Sequence, residues 1–223
     1  MEIAIVLFDA ITALDAIGPY EVLSRLPDAD VKFVAAERGL VRTDNKRLGL
    51  SADFTLDEVA APEIVLVPGG LGTRPLLGDA RLLDWIRGVH RTTRWTTSVC
   101  TGALLLAAAG LLDGLEATTH WLERETLRRY GARPVVRRVV QQGKIITAAG
   151  VSAGIDMALT LAREIAGDDV AQSIQLAIEY DPQPPFDAGS PEKAPTAIVE
   201  AARRRAAARV ARHPATATGS TPV

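Results

Sequence analysis

The strongest constraint on the fold is an alternation of two hydrophobic patterns along the chain. Short apolar runs, "IAIVLF" (3–8), "VKFVAAE" (31–37), "EIVLVPGG" (63–70) and "WTTSV" (95–99), recur along the first half. Between and after them lie stretches of helical spacing: "DAIGPYEVLSRL" (15–26), "ARLLDWIRGVHR" (80–91) and "SAGIDMALTLAREIAG" (152–167). A run that is apolar at successive positions is buried on both faces, as a parallel strand between two layers of helices must be. Strand and helix in turn predict an α/β fold, a doubly wound, mostly parallel sheet with helices on both faces.

The remaining segments fit that plan. The pattern predicts helices over 102–112, through "LERETLRRYG" and over 169–180, with a strand pair in 134–149 turning at Gln142-Gly143. "LGLSADFTLDEV" (48–59) reads as a hairpin-like or irregular connection, "EATTHW" (116–121) as a strand end, and no internal repeat occurs. The loop "DPQPPFDAGSPEKAP" closes a single domain over 1–195, "TAIVEAARRRAAARVAR" forms a helix over 196–212, and 213–223 is expected to be a disordered tail. The arginines of that helix suggest either a nucleic-acid arm or a solvated face that suits the helix dipole. A net charge of −2 and 4% aromatics favour the solvated face and give no nucleic-acid footprint. The apolar run "GALLLAAAGLL" is too short to span a membrane, and "MEIAIVLFDA" lacks a basic leader, so the expected address is the cytoplasm.

In open α/β sheets, ligands bind beyond the carboxyl ends of the strands. Asp15, Gly69-Gly70 and Cys100 all follow predicted strands, so the fold would bring them to one edge. Cys100 is the only cysteine, which excludes an internal disulfide and a cysteine-cluster metal site. No paired His/Asp/Glu spacing suggests another metal site either. A lone cysteine is commonly a small buried hydrophobe. Cys100, however, sits where a strand turns at once into a helix, with Gly102 to relieve crowding, which is the geometry of a nucleophile elbow. A helix N-terminus can lower a thiol pKa to roughly 3.5–7.5, and an exposed thiolate is the nucleophilic form. The amides of Gly69 or Gly70 and of Thr101 could then hold developing negative charge, unless the glycines only make a turn. Asp15 taken alone reads as the N-cap of a helix whose first turn holds Pro19.

"DAIGPYEVL" (15–23), "LVPGG" (66–70), "SVCTGALLLAAAGLLDG" (98–114), "ATTHW" (117–121) and "TAAGVSAGIDMAL" (147–159) together resemble the ThiJ/PfpI superfamily. Within it the chain is most similar to the isonitrile hydratases, by the D-x-x-G-P aspartate, the threonine after the cysteine and "IEYDPQPPFDAGSP" (178–191). The resemblance implies a flavodoxin-like sandwich and a cofactor-free homodimer that hydrates an isonitrile to an N-substituted formamide through a cysteine thioimidate. It makes Cys100 the nucleophile, Asp15 the acid/base group and Thr101 an auxiliary hydroxyl, in an apolar pocket. A buried carboxyl facing a thiolate would be pushed up and titrate with it. His120 is a further candidate; otherwise it is a hydrogen bonder beside Trp121. His90 lies on a surface helix and His213 in the tail. Two alternatives stay open. One is a glyoxalase- or deglycase-like enzyme using the same cysteine. The other is a ligand-sensing domain like that of AraC-type regulators, although the stretch after Tyr180-Asp181 is too short for a helix-turn-helix region.

Overall fold

The computed structural model describes residues 1–212. The first half contains β1 (Glu2–Val6), α1 (Ala13–Leu23), β2 (Asp30–Ala35), β3 (Gly39–Arg42), β4 (Gly49–Ala52), β5 (Phe54–Thr55), β6 (Ile64–Val67), α2 (Thr73–Leu76), α3 (Ala80–Thr92) and β7 (Trp95–Val99). It continues through α4 (Gly102–Ala108), β8 (Glu116–Ala117), α5 (Arg124–Arg129), β9 (Arg133–Pro134), β10 (Val139–Gln142), β11 (Ile145–Ala148), α6 (Ala153–Ala166), α7 (Asp168–Ala177) and α8 (Thr196–Arg212).

The main sheet has seven strands in the order β10-β11-β7-β6-β1-β2-β5. Every pairing in it is parallel except that of the edge strand β10 with β11. The predicted α/β sandwich is therefore the observed one. Its central strands carry the apolar runs for the reason given: Ile3, Ile5, Ile64 and Leu66 are wholly buried, because helices cover both faces. The helices form two packed groups, α1 with α6 and α7, and α4 with α2, α3 and α5.

Local departures have local causes. The alanine/leucine run stops being helical at Ala108, since Gly110 adopts φ +79° and turns the chain, so α4 is seven residues rather than the eleven of 102–112. In 134–149 only β10 and β11 form the hairpin, with Gly143 at φ +58°, while β9 pairs with β8. The irregular connection after β2 contains a β3–β4 ribbon that begins at Gly39, earlier than the pattern suggested. Its strand β3 is mostly exposed and so carries no apolar signature. Residues 213–223, including His213, lie outside the described residues.

Candidate active site

The chain leaves β7 at Val99 and enters α4 at Gly102, and Cys100 makes the turn with φ +57°. A residue with a Cβ is strained in that left-handed region, and such strain persists only where surrounding contacts over-determine it. Here they do. The Cys100 N–H donates to the carbonyls of Ala148 and Ala149 at 3.1 and 3.0 Å, and its carbonyl accepts the Thr119 hydroxyl at 2.8 Å. Gly102 makes the elbow possible, because a Cβ there would lie 1.9 Å from the Val67 carbonyl oxygen.

Asp15 approaches from α1. The helix starts earlier than expected, with Thr12 in the N-cap position, so Asp15 is the third helical residue and Pro19 lies inside the helix. The capping role is thereby overturned. Asp15 is wholly buried and its Oδ2 accepts the Gly69 N–H, 2.9 Å away, across from α1. Its Oδ1 has no hydrogen-bond partner among the described residues. Burial pushes the Asp15 carboxyl up to about 7, against the Gly69 N–H and the Cys100 thiol, which pull it down.

Cys100 is itself only 5% exposed. Burial first, and then the Asp15 charge, push its thiol above the usual thiol range, while the N–H groups of Val151 and Thr101 pull it down. This corrects the expectation of an exposed, low-pKa thiolate: α4 is two turns long, and desolvation outweighs its terminal amides. The raised carboxyl agrees with the expected coupling. Such a pair loses its two protons in steps that belong to both groups rather than to either one.

The two glycines do not serve as expected. The Gly69 N–H is given to Asp15 and the Gly70 N–H to Thr101 Oγ1 at 2.9 Å, so neither is free for a developing charge. Gly69 is needed for closeness: a Cβ there would stand 2.5 Å from Thr101 N and 2.9 Å from Asp15 Oδ2. The amides that pull the Cys100 thiol down are instead those of Val151 and Thr101. Val151, at φ +41° before α6, left no signal in a single sequence, because any residue type offers an N–H. Thr119 was visible within "ATTHW" but not its task. The Thr101 hydroxyl, besides accepting from Gly70, lies 3.2 Å from both the Gly70 carbonyl and the Thr73 hydroxyl.

Cys100 and Thr101 open into a cavity of about 200 Å³. The cavity is not uniformly apolar as expected. Leu71, Leu122 and Val151 line part of it, but Asp44, paired with Arg209, and Arg74, paired with Glu123, line the rest. His120 reaches its rim. Its Nδ1 accepts the Leu122 N–H at 3.4 Å, its ring lies 5.9 Å from that of Trp121, and burial lowers its pKa. His90 is on α3 with Nδ1 2.8 Å from Thr96 Oγ1.

The isonitrile hydratase of Pseudomonas putida is 47% identical over 207 residues, covering 93% of this chain and 90% of that protein. The regulator CdhR of Pseudomonas aeruginosa is 28% identical over 172 residues, 75% of this chain and 50% of its own length. Among solved structures, a ThiJ/PfpI family protein from Pseudomonas syringae superposes with a TM-score of 0.90 at 34% identity, covering 98% of this chain and 90% of that one. Drosophila melanogaster DJ-1beta has a TM-score of 0.74 at 22% identity over 81% of this chain and 98% of its own, which speaks to the fold alone. The DJ-1/PfpI family model matches residues 1–164, the stretch that holds Asp15, Gly69, Cys100, Thr119 and Val151, and the chain belongs to that family.

Proposed function

We propose that the protein is an isonitrile hydratase, converting R–N≡C and water to the formamide R–NH–CHO. The observation that carries this reading is the buried Asp15 carboxyl set against the buried thiol of Cys100, a residue that lines a cavity. Near-half identity to a named isonitrile hydratase over almost the whole chain supports it further.

The chemistry needs one nucleophile and one mobile proton, and a pair with a shared proton supplies both. In the reactive form Cys100 is thiolate and Asp15 is protonated. Sulfur attacks the terminal carbon, forming a C–S bond, and Asp15 delivers its proton to that carbon, giving the thioimidate Cys–S–CH=N–R. The Asp15 carboxylate then draws a proton from water as the oxygen adds to the same carbon. That proton passes to nitrogen. Collapse breaks the C–S bond, forms C=O, expels thiolate and returns the last hydroxyl proton to Asp15. The Val151 and Thr101 amides, which favour the charged sulfur, stabilise the thiolate both as attacker and as leaving group. Thr101, with its hydroxyl tied into the Gly70 turn, holds that amide in place. No step requires a cofactor. We place the enzyme in the cytoplasm as a homodimer.

Benzyl isonitrile incubated with the protein should yield N-benzylformamide, detected by mass, and Cys100→Ser should yield none. An unchanged isonitrile after prolonged incubation with the parent protein would overturn the assignment.

A further inference from the structure

One wall of the cavity is not supplied by the catalytic core. Ala206, Arg209 and Val210 of α8 line it together with Cys100 and Thr101. The family model ends at residue 164, so this wall lies outside the shared domain. Arg209 and Arg203 hold α8 against the cavity. Arg209 bonds Asp44 Oδ2 at 3.0 Å, and the Arg203 guanidinium lies 5.7 Å from the Trp121 ring centre. Val199, Ala202, Ala206 and Val210 recur at helical spacing and are half-buried, whereas Ala207 faces solvent.

The geometry points to α8 as the specificity wall of the site, with Ala206 and Val210 setting the size of the substituent a substrate carries. This rests on the isonitrile reading. An isonitrile is linear through R–N–C, so when its terminal carbon meets the buried sulfur the substituent projects away from Cys100. It then runs outward through the cavity, where the half-buried residues of α8 stand. The floor is fixed by the reacting groups and is the same for every substrate. Discrimination between substituents therefore falls to the outer wall, where a small alanine leaves room and a larger side chain would fill it.

The test compares kcat/KM for benzyl isonitrile with that for methyl isonitrile in the parent, Ala206→Phe, Val210→Ala and the solvent-facing Ala207→Phe. The benzyl-to-methyl ratio should fall about tenfold or more in Ala206→Phe and rise in Val210→Ala, since a single methylene in a pocket discriminates by roughly 10- to 200-fold. Ala207→Phe should keep the parent ratio. In parallel, Cys100 is alkylated with iodoacetamide and with N-benzyl iodoacetamide, which gives a size ratio without any turnover. If Ala206→Phe leaves both ratios at the parent value, or Ala207→Phe shifts them equally, the wall is overturned even when both isonitriles are hydrated. If the parent hydrates neither isonitrile but its alkylation ratio falls in Ala206→Phe alone, the hydratase reading fails and the wall stands.

Discussion

In the proposed reaction Asp15 and Cys100 carry one chemical idea between them, a proton held where a sulfur nucleophile can use it. Each is pushed up by burial, and the charge on one disfavours charge on the other. Alkylation of Cys100 should therefore rise in two steps with pH. The first comes near 7, as the pair loses its first proton, and the second above the free-thiol value of about 8.5. Asp15→Asn should remove the first step and abolish formamide production, because an amide cannot give and retake a proton. Asp15→Glu keeps the acid but displaces it by one methylene, so partial activity is expected. A single inflection in the parent well below 7, as a lone helix-terminus thiolate would give, would contradict the shared proton. At this scale the sequence was legible wherever a side chain shapes the site, since Cys100, Asp15 and Thr101 converge as their places after the strands implied. It misled wherever backbone does. The amides of Gly69 and Gly70 were natural candidates for an oxyanion site, yet both are spent on holding Asp15 and Thr101, and an amide that favours the charged sulfur is that of Val151, whose identity says nothing.

The elements matter to the site through their junctions. The passage from β7 to α4 holds a strained cysteine against the end of β6, and Gly102 is the residue that lets them touch. Gly102→Ala would drive a methyl carbon to 1.9 Å from a backbone oxygen, which has no rotamer to escape into. Overpacking of this kind costs roughly 1–3 kcal/mol, and relief requires the elbow to move. The variant should show a lowered urea midpoint and a loss of Cys100 reactivity larger than the stability loss explains; a variant with parent alkylation rates would show that the elbow tolerates the shift. The junction was readable because a strand, a cysteine and a glycine stood in the right order. The seat of α8 was not. Its inward stripe, Val199, Ala202, Ala206 and Val210, is small and weakly apolar beside four exposed arginines, so the helix reads as solvated. Only the folded chain puts Asp44 opposite Arg209 and Trp121 beneath Arg203.

Across the whole molecule, the buried carboxyl leaves a mark on stability. Folded Asp15, near 7, binds its proton more tightly than the unfolded chain, whose ordinary value is 3.8. Its contribution is therefore favourable below 3.8 and is lost as pH rises through 7, after which the cost is constant. Urea titrations should find Asp15→Asn gaining on the parent between about pH 5 and pH 8, by on the order of 2 kcal/mol. A gap that does not change with pH would mean the carboxyl is not desolvated. The second whole-molecule prediction is assembly. Outside the cavity, α1 and α6 form an apolar groove lined by Leu14, Ile17, Ile155 and Ile178, with Leu14 40% exposed and Leu176 78% exposed on the neighbouring α7. Exposed groups of that kind are covered at low cost by the same patch of a second copy, since a twofold interface is self-complementary. Light scattering should give twice 23.7 kDa, and the thermal midpoint should rise with protein concentration, as it does when association stabilises only the folded chain. Leu14→Glu puts a charge into the groove and should shift the mass toward that of one chain. A parent mass of 23.7 kDa at every concentration, with a midpoint that does not move, would make the groove a monomer's surface.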